Sequence, residues 1–115
     1  MSDNFFKLRS GSIFVAGNLV ELPYPVGDVK IVDDLIVVRV EPPAGEVFNR
    51  NVFGIAKSGE LLWQIEESPH GTQDDKPFID IAVNRNNKLV AGNWNGVAYH
   101  VDVGSGKISV ESFDK

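Results

Sequence analysis

The sequence contains no cysteine. Disulfide staples, zinc–thiolate sites and thiol nucleophiles are therefore all excluded. Long apolar runs are missing too: none exceeds four residues, as in Leu-Ile-Val-Val at 35–38, so no helix of this chain spans a bilayer. Residues 1–10 (Met-Ser-Asp-Asn-Phe-Phe-Lys-Leu-Arg-Ser) hold neither an apolar segment nor a small-residue cleavage site. No secretory signal and no membrane association are expected, and the expected location is the cytoplasm. Bases are scarce: eleven Lys and Arg face sixteen Asp and Glu, a net charge of -5 and the wrong sign for a phosphate-backbone binder. No nucleic-acid partner is expected.

What remains is 115 residues, 43% hydrophobic, enough to bury a core as one domain without a metal or cross-link. Short segments rich in Val, Ile, Leu and aromatics alternate with turn residues, and no stretch keeps a 3.6-residue apolar stripe for three turns. The pattern predicts about ten strands and no helix. Their bounds are 12–16, 19–23, 29–32, 35–40, 51–56, 61–66, 78–83, 88–93, 97–102 and 107–112. Asn95-Gly96 is read as a type I′ hairpin turn, with Ser58-Gly59, Gly104-Ser105-Gly106, Asp33-Asp34 and Asn86-Asn87 as further tight turns. Strands joined this closely pair as antiparallel meanders. Two longer connections interrupt them, 41–50 with Pro42-Pro43 and the polar stretch 66–77.

The chain repeats itself. Val15-Ala16-Gly17-Asn18 recurs as Val90-Ala91-Gly92-Asn93. The segment 51–56 followed by Ser58-Gly59-Glu60-Leu61 matches 96–102 followed by Ser105-Gly106-Lys107-Ile108. Upstream of each lies an Asp or Asn turn and an apolar strand, at 33–38 and 86–91. Four strands per unit at such a period point to blade-like sheets. The expected fold is all-β: two antiparallel four-stranded propeller-blade-like meanders (29–66 and 79–113) plus an N-terminal hairpin (12–23). A single domain, 1–115, packs them as a sandwich or partial propeller. Val37, Phe53, Ile55, Trp63, Ile81, Leu89, Tyr99 and Val101 are the expected core.

Residues 93–102 (Asn-Trp-Asn-Gly-Val-Ala-Tyr-His-Val-Asp), followed by Gly104-Ser105-Gly106-Lys107, resemble the repeat of quinoprotein (PQQ-dehydrogenase-type) propellers. Ser58-Gly59-Glu60-Leu61-Leu62-Trp63 matches its closing part, docking tryptophan included. The likeness covers roughly two-thirds of the chain. It implies that Asp102 ties down the turn that follows it. The second unit has Ser109-Val110 where that tryptophan is expected, no quinone or calcium constellation is recognisable, and two units fall short of the four to eight that close a ring.

Chemistry-bearing residues are few. His70 lies among Glu66, Glu67, Asp74 and Asp75, but the spacing fits no metal loop, so neither metal nor cofactor is expected. His100 and Asp102 share a strand face, yet no Gly-x-Ser-x-Gly elbow accompanies them. Gly104-Ser105-Gly106-Lys107 lacks the remainder of a phosphate loop and is read as a hairpin turn. No catalytic residue is assigned. Charge is more informative: the window 60–80 holds six acids (Glu60, Glu66, Glu67, Asp74, Asp75, Asp80) and one base (Lys76), and the other ten acids and ten bases cancel. Such a patch steers a basic partner. Trp94, beside the Asn95-Gly96 turn, is the matching apolar anchor. Glu66, Glu67, His70, Asp74, Asp75 and Trp94 are therefore the expected partner-binding residues.

Three readings stand side by side. The first is a non-catalytic protein-binding module that neutralises a basic toxin or nuclease, since size and charge are similar to those of bacterial toxin-immunity proteins. The second is a scaffold domain that self-associates through open sheet edges as a homo-oligomer. The third is a small-ligand or metal binder using His70 or His100.

Overall fold

A computed structural model describes residues 6–70 and 75–113. These residues form strands β1 (Phe6–Arg9), β2 (Ser12–Val15), β3 (Asn18–Val20), β4 (Val26–Val32), β5 (Leu35–Val40) and β6 (Val52–Ile55). There follow β7 (Leu61–Gln64), β8 (Phe78–Val83), β9 (Leu89–Asn93), β10 (Val97–Val101) and β11 (Ile108–Phe113). Among the described residues there is no helix long and apolar enough to cross a membrane.

Three antiparallel sheets result, each in chain order: β1-β2-β3, β4-β5-β6-β7 and β8-β9-β10-β11. The fold is therefore all-β, with the two expected four-stranded meanders. The first begins earlier than expected, at Val26. The expected N-terminal hairpin is β2–β3, and it carries a further strand, β1, on the free side of β2. That strand is only four residues long, which left little alternation to read. β3 stops at Val20 rather than reaching residue 23, just before a segment whose prolines, Pro23 and Pro25, have no N–H for a ladder.

The tight turns explain the short connections and correct one expectation. Ser10 and Gly11 have φ of 51° and 84°, and Ala16 and Gly17 have 53° and 82°. Each pair closes a two-residue loop with both φ values positive, the type I′ requirement. At Asn95-Gly96 only Gly96 has positive φ (88°), and its N–H donates to the Asn93 carbonyl at 3.0 Å. The loop is a type I turn over Trp94 and Asn95 closed by a left-handed glycine, not the type I′ pair. Asn95 stays out of the left-handed region while its side chain bonds on both sides: its oxygen accepts from Val97 N–H at 2.9 Å and its amide donates to Ser68.

The same data overturn one half of the repeat. Ala16-Gly17 is a hairpin turn, whereas Ala91-Gly92 lies inside β9, so 15–18 and 90–93 are not structural equivalents. The longer match holds as geometry, because 51–56 and 96–102 carry β6 and β10, the third strands of their sheets.

The sheets stack as layers with β4–β7 in the middle. Ile36, Val38, Val40, Phe53 and Ile55 pack with Ile13, Val15 and Val20 of the N-terminal sheet. Leu35, Val37, Val52 and Trp63 pack with Phe78, Ile81, Leu89, Tyr99 and Val101 of the C-terminal sheet. Strand β5 alternates between these two cores, which is why its first four residues, 35–38, read as a continuous apolar run: a stretch buried on both faces needs no polar side. All eight expected core residues are buried. The two four-stranded sheets come together at their first strands, β4 and β8. Toward the outer strands Trp63 fills the gap, its Nε1–H donating to the Val103 carbonyl at 2.8 Å with its ring over Gly106.

Candidate functional site

The connection 41–51 and the turn 93–96 meet over the segment 76–78, where the two four-stranded sheets join. Three asparagine side chains grip that segment. Asn49 Oδ1 accepts the Lys76 N–H at 2.8 Å, and Asn93 Nδ2 donates to the Lys76 carbonyl at 2.8 Å. Asn51 takes both polar groups of Phe78, accepting from its N–H at 3.0 Å and donating to its carbonyl at 2.9 Å. The backbone N–H of Trp94 donates to the Pro77 carbonyl at 3.0 Å. A buried amide satisfied at both ends acts here as a strand partner.

This clamp places Trp94 at the mouth of a cleft of about 330 Å³ walled by Pro42, Pro43, Val47, Pro77 and Ile79. Trp94 is 65% exposed, Val47 and Ile79 49% each. The opposite wall is braced from behind: Phe48 packs between Tyr24 (ring centroids 5.2 Å) and Phe53 (6.4 Å). The Tyr24 hydroxyl donates to Glu46 Oε1 at 3.1 Å, a bond that pushes the phenol above its ordinary pKa. Acids rim the apolar patch. Glu41 and Glu46 line the cleft, and Asp75 shares an adjoining recess with Val47, Pro77 and Trp94. Arg39 lines the cleft as well, with Nη1 3.0 Å from Glu41 Oε1.

The expected partner-binding residues separate into two groups. Trp94 and Asp75 are brought together at the cleft. Glu66 and Glu67 are exposed but engaged in structure: Glu66 Oε1 accepts the Ile108 N–H at 2.8 Å, and Glu67 Oε2 accepts from Asn49 Nδ2 at 3.2 Å. His70 is half-buried, its Nδ1 2.8 Å from the Tyr99 hydroxyl and its ring stacked on that tyrosine at 5.7 Å. The Tyr99 hydroxyl also bonds the buried Ser68 hydroxyl, to which Asn95 Nδ2 donates at 2.9 Å. Segment 66–70 is thereby fastened to β10 and its turn. Asp74 lies outside the described residues.

The remaining candidates lie away from the cleft. Asp102 ties down its turn, with Oδ1 accepting from Gly104 N–H at 3.0 Å and Oδ2 from the Ser105 hydroxyl at 2.9 Å. Those two bonds hold its carboxyl below the ordinary carboxylate pKa. His100 faces a different hollow, with Asn84, Lys88 and Ser109. Among the described residues no three His, Asp or Glu side chains gather as a metal set. Sequence reasoning missed the place of Asn51, Asn93 and the two prolines at this cleft. A buried asparagine looks like any turn asparagine until its partner strand is known, and Pro42-Pro43 was read only as a ladder stop.

A model of the family described as a domain of unknown function, DUF7957, matches residues 6–113. No curated protein and no solved structure matches the chain.

Proposed function

The chain belongs to this family over nearly its whole length, and from the site's own geometry we propose that it is a non-catalytic protein-binding module that inhibits a basic partner, of the toxin or nuclease kind, through the Trp94 cleft. The observation that carries the reading is the 65% exposure of Trp94 on an apolar cleft held by side-chain hydrogen bonds, in whose lining acids outnumber bases. A large aromatic held out on a clamped turn loses little freedom on binding, so its burial is available to a partner. The charge is arranged to match. Three acids, Glu41, Glu46 and Asp75, line the cleft and its adjoining recess against one base, Arg39, within a chain of net charge -5. Steering by such a rim acts on association rate, and the buried anchor acts on dissociation. The structural engagement of Asp102, Glu66 and His70 supports the non-catalytic part of the proposal.

The test is selection of a random peptide display library on the intact protein, followed by titration of the enriched peptides. Trp63 is 7% exposed and Trp94 65%, so a change in the red-emitting tryptophan signal reports the cleft. Enriched peptides should combine Lys or Arg with apolar residues. Trp94→Ala should raise their dissociation rate at least about tenfold. Asp75→Lys should slow association at low salt and leave it unchanged at high salt. Enrichment of acidic peptides, or binding that Trp94→Ala leaves untouched, would overturn the reading.

A further inference from the structure

Among the described residues, two sheet faces are left uncovered, one at each end of the stack. On the C-terminal sheet the outer face combines Ala82, Ala98, Gly92 and Ser109 with Val90 and His100. Ala82 pairs with Val90, which pairs with His100, and His100 pairs with Ser109, while Ala98 lies opposite Gly92. On the N-terminal sheet the outer face carries Lys7, Arg9, Phe14 and Leu19, the residues whose strand neighbours Ile13, Val15 and Val20 point inward.

The internal repeat says what each face is equivalent to. In the match between 33–38 and 86–91, Ile36 and Val38 correspond to Leu89 and Ala91, and Val37 corresponds to Val90. Ile36 and Val38 face the preceding sheet, and Leu89 and Ala91 do the same one layer on. Val37 faces the following sheet. The Val90 face is thus the one that takes a following sheet, and among the described residues no sheet lies on it. The N-terminal outer face is its counterpart, the side that meets a preceding sheet.

We propose that two copies of this chain associate head to tail, the Val90 face of the C-terminal sheet on one copy receiving the Lys7–Arg9–Phe14–Leu19 face of the other, twice over, to close a ring of six sheets. The repeat fixes the direction of this pairing: the face equivalent to Val37's takes a following sheet, so it meets the face that takes a preceding one and not a copy of itself. Area supports closure over an open chain of copies. Strands about 4.8 Å apart and about 3.3 Å per residue give each contact roughly 200–300 Å² per side, or about 500 Å² in all. One such contact falls short of what a specific dimer needs, and two together reach the threshold of about 1,000 Å². Six sheets lie within the range of four to eight that rings of this kind use. The inference is independent of the Trp94 cleft.

Sedimentation equilibrium of the full chain from micromolar to near-millimolar concentration reads the assembly. The expected result is a reversible monomer–dimer equilibrium with no larger species. Ala82→Lys places a cation opposite Lys7 and Arg9 and should weaken the dimer at least about tenfold. Adding Lys7→Glu and Arg9→Glu to Ala82→Lys in one chain should restore it. Ala82, Lys7 and Arg9 are exposed, so unchanged melting temperatures will show that the fold is kept. A monomer at every concentration overturns the proposal. So does a dimer that Ala82→Lys leaves untouched or that the triple variant fails to rescue, since contact between two identical faces would behave that way. Peptide binding at Trp94 is read separately, so either proposal can fail alone.

Discussion

Asn51 shows how one side chain joins two sheets. It is 2% exposed, and its amide completes the backbone bonding of Phe78 in both directions. The next sheet therefore begins as though paired with a strand. Removing the amide leaves a buried N–H and a buried carbonyl without partners, each costing about 1–3 kcal/mol. Asn51→Ala should destabilise the protein by about 2–4 kcal/mol by urea denaturation, with the m-value unchanged. Asn51→Asp should do no better, because it keeps one acceptor and loses the donor to Phe78. A loss under about 0.5 kcal/mol for Asn51→Ala would mean that water replaces the amide and that the clamp under Trp94 is not rigid. The same position marks a limit of sequence reading. Asn51 opened a candidate strand, and nothing in the residue type distinguishes an amide that caps a turn from one that bridges sheets 27 residues apart in the chain.

At the level of the elements, alternation and turn residues located ten of the eleven strands, because hydrophobic pattern and turn chemistry are local. β1 escaped because four residues give too short a pattern, and the turn at Asn95-Gly96 was misread because a left-handed glycine closes both the two-residue and three-residue hairpins. The turn after β10 was legible as a tight turn from Gly104-Ser105-Gly106, and the resemblance to quinoprotein repeats implied the role of Asp102. Its carboxylate is held below the ordinary pKa by the Gly104 amide and the Ser105 hydroxyl. A depressed folded-state pKa contributes stability that is fully present above the unfolded value of about 3.8 and is lost as pH falls through the lower folded value. Asp102→Asn should therefore melt below the parent at pH 7, and the gap should close as the pH is taken down through about 4 toward 2. A gap that stays constant to the lowest pH would assign the loss to shape rather than charge.

For the molecule as a whole, the middle sheet is the decisive layer. Its two faces supply both cores, so neither outer sheet buries its apolar side without it. Layer order was not legible beforehand: periodicity shows that a strand has a buried face, but not which sheet covers it. For the same reason the cleft was seen only through Trp94, since Pro42, Pro43 and Val47 reach it from a connection far away in sequence. Trp63 ties the layers together. It extends from the edge strand β7, packs against Gly54 within its own sheet and over Gly106 in the next, and bonds the Val103 carbonyl. Any Cβ at Gly54 would meet the indole, so the space was shaped around that ring. Trp63→Ala should cost about 3–5 kcal/mol, by the cavity it opens and the carbonyl it leaves unpaired. That is a large share of the 5–15 kcal/mol typical of a domain. Because the middle sheet belongs to both cores, the loss should lower one cooperative transition and not split it. Far-ultraviolet circular dichroism and the emission of Trp94 should report the same midpoint in the variant. Two separated transitions would show that the C-terminal sheet folds apart from the rest and that Trp63 alone couples it to the other layers.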